Sequence, residues 1–144
     1  MTSEAGADFM RILLEESMAD DVFCLSSFGV LEVNAAIRRR LRNEDMENEA
    51  IRKFGQDSVS LFRVIPTDDD LLRRALFVVE NYRLRAGDAI HLTSSLSIAA
   101  FTDSAQVIMI SSDAELIDTS IAAGIGALDP QADDAMDSLR QIRE

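Results

Sequence analysis

Four short apolar runs, set between longer stretches of helical periodicity, constrain this chain more than any other feature. The runs are Val22–Leu25, Leu61–Ile65, Val107–Ile110 and Ile125–Leu128. Pro66 stops the second, and Pro130 comes just after the fourth. Ahead of the first run, Glu4–Ser17 places Phe9, Ile12 and Leu13 at helical spacing. Ser26 and Ser27 are good helix starters, and the next helix is expected over Ser27–Arg42. Glu44–Ser58 reads as a polar surface helix. Asp68, Asp69 and Asp70 open a helix to Tyr82, with negative charge at the positive end of its dipole. Another helix begins at Asp88, apolar at Ala89, Leu92, Leu96 and Ala99. Ser112 and Glu115 have capping-box spacing ahead of a helix from Asp113, which ends at Gly124 as a C-cap. Ala132–Glu144 is expected to form a charged, partly frayed tail helix. Short apolar strands alternating with helices indicate an α/β fold, a parallel central sheet flanked by helices. Ligands in such folds sit beyond the carboxyl ends of the strands, which sets where chemistry is to be sought.

Length and charge narrow the function classes. The 144 residues fit a single domain, and 47 % apolar content is enough for a sizeable core. The apolar runs are too short and too interrupted by charge for a transmembrane helix. Met1–Glu16 carries acids and lacks the basic start of a secretory signal, so a cytoplasmic chain is expected. Cys24 is the only cysteine and reads as a buried structural thiol in a reducing compartment. A formal charge of −12 excludes a protein that coats nucleic acid with a broad basic surface. The basic residues are clustered, however, as Arg38, Arg39, Arg40 and Arg42, then Arg73 and Arg74, then Arg83 and Arg85. A few such arginines are sufficient to meet phosphates while acids elsewhere hold a metal.

Three acids stand out. From Phe28 to Ile37, Glu32 and Asn34 are the only polar side chains, so the pattern predicts a buried helix with Glu32 turned inward. A buried carboxylate must be neutralised, paired or bound to a cation, and Arg39 is the obvious pairing partner. Asp113 directly follows a strand and starts a helix, a position that capping alone explains. Asp88 reads as an N-cap with Arg85 within pairing reach. His91 lies one turn beyond it and, as the lone histidine on an apolar helix, reads first as a core residue. One histidine and one cysteine make no convincing nucleophile set, and phosphate-loop, dinucleotide and zinc patterns are missing from the sequence. Clusters of oxygen ligands suit magnesium or manganese.

At these residues the sequence resembles the PIN-domain family, the nuclease fold of VapC-type toxins. Ser26-Ser27 through Leu31-Glu32-Val33 to Arg38-Arg39-Arg40 is similar to the family segment in which a short strand leads into a helix bearing an inward glutamate. Leu84-Arg85-Ala86-Gly87-Asp88-Ala89-Ile90-His91-Leu92 is similar to its second acidic segment. Ile110-Ser111-Ser112-Asp113-Ala114-Glu115-Leu116, followed by Ala123-Gly124 and Leu128-Asp129-Pro130, resembles its closing strand–helix–strand. The resemblance runs from about residue 22 to 130 and implies a Mg2+- or Mn2+-dependent endoribonuclease. Such proteins are commonly the homodimeric toxin of a toxin–antitoxin pair, so RNA and an antitoxin protein become the expected partners. Glu32, Asp88 and Asp113 then take the metal-binding, catalytic places. Ser111, less so Ser112, takes the supporting hydroxyl, with Arg38 and Arg39 as candidate RNA contacts.

The resemblance also carries a departure. The family opens with a central strand ending in an aspartate, and Met1-Thr2-Ser3-Glu4-Ala5-Gly6 resembles the stretch just beyond that segment. The expected architecture is therefore a three-layer PIN-like fold over residues 1–144 lacking its first strand and first acid, with impaired activity. Asp8, Asp20 and Asp21 do not stand in the context to replace that acid. The competing reading is a catalytically inactive PIN-like interaction module. A plainer one is an acidic α/β domain whose three acids are caps and ion pairs. The tail acids Asp133, Asp134 and Asp137 are expected to be solvated.

Overall fold

The computed structural model describes residues 6–102 and 106–144. In chain order the elements are α1 (Ala7–Glu15), β1 (Phe23–Ser26), α2 (Ser27–Arg40), α3 (Glu44–Ser60), β2 (Phe62–Ile65) and α4 (Asp69–Tyr82). Beyond these come α5 (Ala86–Phe101), β3 (Ile108–Ile110), α6 (Ala114–Ala122), β4 (Gly126–Leu128) and α7 (Ala135–Arg143). The chain is thus α/β, rich in helix, with short parallel strands. The expected start of the first helix at Glu4 lies outside the described residues.

Side-chain caps explain most of the helix starts. Ser26 accepts from the Gly29 amide at the head of α2, Asn43 from Met46 at α3, and Asp68 from Leu71 at α4. Past the end of α6, Gly124 takes φ 89, a left-handed conformation that costs a residue without Cβ little. Two expected caps differ. The helix carrying Asp88 begins at Ala86 with Arg85 in the cap position, so Asp88 lies inside the first turn and caps nothing. The capping box at Ser112 does not form, because Asp113 itself caps α6 while Ser112 Oγ donates to Asp129 Oδ1 at 3.0 Å.

The parallel pairing expected from the sequence is present, but it is divided between two sheets. β1 pairs with β2 in the register Phe23↔Phe62 to Ser26↔Ile65, and β3 with β4 in the register Ile108↔Gly126 to Ile110↔Leu128. Among the described residues β1 and β3 are not hydrogen-bonded to each other, so these residues form no single central sheet. The halves are connected by α5, which contacts both β1 and β3, and by Phe23 of β1, which packs into the cluster that holds Ile108 and Leu128.

Alternation along β3 places helices on both of its faces. Met109 packs into a cluster with Ala75 and Val78 of α4, Ala89 and Leu92 of α5, and Leu116 of α6. Ile108 and Ile110 point the other way, against Phe9 and Leu13 of α1, Leu128 of β4, and Ala135 and Leu139 of α7. Phe23 of β1 joins this second cluster.

Two sequence expectations fail on burial. The apolar pattern of α2 predicts an interior helix, yet Gly29 is its only buried residue and Leu31 is 62 % exposed. Its apolar residues do not become core because the helix packs mainly against β1, α3 and α5, and much of its circumference meets solvent. The charged tail predicts a frayed, solvated end, yet α7 buries Ala135 and Leu139 and is tied to the loop after α1 by Arg143 on Asp21 at 2.8 Å. Its apolar residues 135, 136, 139 and 142 form one helical stripe, which outweighs the charge around them. Cys24 is half-buried, and burial raises its thiol pKa against the opposing charge of Arg63. No helix among the described residues is long and apolar enough to cross a membrane.

Leu139→Ala tests the docking of α7. Truncating a buried leucine costs about 2–5 kcal/mol, whereas a change on a solvated tail stays within about 0.5 kcal/mol. Urea denaturation is expected to show the larger loss.

Candidate functional site

The three predicted acids lie in or at the first turns of three helices, two of which follow strands. Ser26 closes β1 and caps α2, which carries Glu32 in its second turn. Ile110 closes β3, and Asp113 caps α6 three residues later. Asp88 stands in the first turn of α5, the helix that touches both strands.

Glu32 is not enclosed, since its side chain remains 49 % exposed. It meets His91 of α5 rather than Arg39, and His91 Nε2 donates to Glu32 Oε1 at 2.5 Å. The other ring nitrogen, Nδ1, lies 3.4 Å from the buried Ser26 Oγ, which also accepts from the Gly29 amide at 2.8 Å. The Phe28 ring flanks His91 with centroids 5.9 Å apart. Gly87 lets α5 come this close: a Cβ there would stand 3.2 Å from Phe28 and 3.9 Å from Glu32 Oε2.

One turn before His91 on α5, Asp88 feels other acids. Burial raises the Asp88 pKa first, and the negative charge of Asp113 raises it next. Glu115 adds in the same direction, while His91 and Arg85 oppose. Asp113 is held by its own helix, its Oδ1 accepting from the amides of Glu115 at 2.9 Å and Leu116 at 3.1 Å. Ser111 Oγ accepts from the Asp113 amide at 3.0 Å, so this hydroxyl sets the backbone from which the acid projects. Ser112 faces Asp129 instead.

The structure therefore brings Asp88 into the field of Asp113 and Glu115, and sets Glu32 against His91 beside Gly87. Among the described residues, no three His, Cys, Asp or Glu side chains form a group that holds a metal ion. Of the candidate RNA contacts, Arg38 stands in the last turn of α2, at the end away from the cap, and is engaged by Glu47 of α3 at 3.5 Å.

Two participants escape the sequence reading. His91 reads there as a core residue, but it lies three residues after Asp88, which puts both on one face of α5. That spacing is the available signal. Glu115 reads there as part of a capping box; once Asp113 takes the cap, Glu115 is released to add charge.

No family model, no curated protein and no solved structure matches this chain.

Because Asp88 is held above its ordinary value of 3.8, ionising it costs the folded state more than the unfolded state. That cost is absent where the group is protonated in both states and grows as pH rises through the raised value. Asp88→Asn is therefore expected to stabilise the chain at neutral pH, with the gain fading on acidification. Urea melts across pH check this, and a pH-independent difference contradicts it. Asp113→Asn keeps an oxygen for the helix cap and removes the charge, so a carboxyl NMR titration is expected to show the Asp88 pKa falling.

Proposed function

We propose that this chain is a metal-dependent ribonuclease of the PIN type, with Glu32, Asp88 and Asp113 as its metal-holding carboxylates. The observation that supports this most is the raised pKa of Asp88, caused by burial and by the charges of Asp113 and Glu115. Carboxylates crowded at the strand ends destabilise one another unless protonated or neutralised by a cation. The donor chemistry fits a hard divalent ion, since the acids offer only oxygen. Such an ion supplies a lowered water pKa and stabilises charge on a phosphate.

The chain's own residues have separate tasks in this reading. Asp113, pinned by two helix amides, gives a fixed oxygen donor. Ser111 keeps it oriented. Glu32 is shared with His91, so that histidine holds the carboxylate in place by donating its Nε2 proton. Arg39, in the last turn of α2, is the group that meets RNA phosphates. The expected biological setting, by the family resemblance, is a toxin held in check by an antitoxin protein.

A second reading, a silent interaction module, draws on the exposed apolar surface of α4, where Leu76 is 61 % and Phe77 67 % exposed. One experiment separates them. Cleavage of single-stranded and transfer RNA is expected only with magnesium or manganese, and Asp113→Asn is expected to slow it by about a hundredfold or more, since even outer-shell partners of a metal cost about 10–100-fold. Equal rates for the two proteins would remove the nuclease reading and leave the module.

A further inference from the structure

The cap bond of Ser26 accounts for only half of its hydroxyl. The residue is 4 % exposed, and its oxygen accepts from the Gly29 amide at 2.8 Å, which leaves the hydroxyl proton to be placed. A buried O–H without an acceptor is costly. Among the described residues the acceptor it meets is His91 Nδ1, at 3.4 Å. The two ends of this series of contacts fix its direction, because a backbone amide only donates and a carboxylate only accepts. The order is therefore Gly29 N–H to Ser26 Oγ, Ser26 O–H to His91 Nδ1, and His91 Nε2–H to Glu32 Oε1, the last at 2.5 Å. The bond made at one ring nitrogen decides whether the other carries the proton, so the neutral ring is held with its proton on Nε2.

The ring has little other freedom. Ala89 and Leu92 of α5 are fully buried, which fixes the backbone from which His91 projects, and Phe28 lies beside the ring with centroids 5.9 Å apart. Ser26 caps α2 and Glu32 stands in its second turn, so His91 spans two points of a single helix. In the opposite tautomer, Nε2 turns a lone pair on Glu32 Oε1 and repels the carboxylate it now holds.

We propose that Ser26 is a positioning residue of the acid site: it sets the tautomer of His91 and, through the ring, the place of Glu32. This rests on the reading of Glu32 as a metal-holding carboxylate, and it assigns control of that carboxylate to a buried hydroxyl two contacts away.

His91 is the only histidine of the chain, so nitrogen NMR of the full chain reads its two ring atoms without overlap. With the ring neutral, the wild-type chain is expected to carry the proton on Nε2 alone. Ser26→Gly, a change that costs a helix cap little, removes the hydroxyl and is expected to give a mixture of tautomers. Ser26→Thr returns the hydroxyl and is expected to restore the single form. Mn2+ binding, measured by isothermal titration calorimetry, is expected to weaken about tenfold in Ser26→Gly, as on losing an outer partner of a metal ligand, and to recover in Ser26→Thr. A wild-type ring protonated on Nδ1, a Ser26→Gly ring that keeps one tautomer, a Ser26→Thr chain that behaves as Ser26→Gly, or Mn2+ binding indifferent to Ser26→Gly would each overturn the proposal. A wild-type chain that takes up no Mn2+ overturns the metal reading itself, and this role with it, whatever the ring shows, so the two failures are told apart.

Discussion

The packing of α5 against both strand pairs is the contact on which the rest of the molecule depends. With no hydrogen-bond ladder joining β1 to β3 among the described residues, it is α5 that touches both. Ala89 and Leu92 are fully buried in the cluster that holds Met109 of β3, while the same helix presents His91 to Ser26 and Glu32. The helix is therefore apolar where it holds the core and polar where it meets the strand ends. Its Thr93, Ser94 and Ser97 hydroxyls return to carbonyls one turn back, so these polar side chains sit in or beside the core with their hydrogen bonds made.

The candidate site is a consequence of that placement. Two groups of acids meet the first turns of α5, and each is managed by a different physical device. Glu32 is met by a histidine whose far nitrogen lies beside a buried serine, an arrangement that orients the ring. Asp113 spends one oxygen on its own helix amides and keeps its charge near Asp88. The result is a gradient: a carboxylate paired with a donor at one end, and a carboxylate held against like charge at the other.

Much of this is legible in the sequence, and the misses have specific causes. Apolar runs bounded by serine or proline locate the four strands of the described residues to within a residue or so, even β2, whose Arg63 and Val64 are exposed. The carboxylates at strand ends come from the same reading. Burial of whole helices does not. The near-absence of polar residues in Phe28–Ile37 suggests an interior helix, but composition does not count how many neighbours a helix has, and α2 has few. The tail misleads in the opposite direction, since its acids hide a stripe at Ala135, Met136, Leu139 and Ile142 that covers Phe9 and Leu13 of α1. The division into two sheets is invisible, because local pattern specifies strands and not which edges meet.

That division has a mechanical consequence. Glu32 rides on the half containing β1, and Asp113 on the half containing β3. Sliding one half against the other rearranges side-chain contacts along α5 while leaving every interstrand hydrogen bond intact. The spacing between the two carboxylates is thus set by side-chain packing along α5 and not by a ladder of interstrand hydrogen bonds among the described residues.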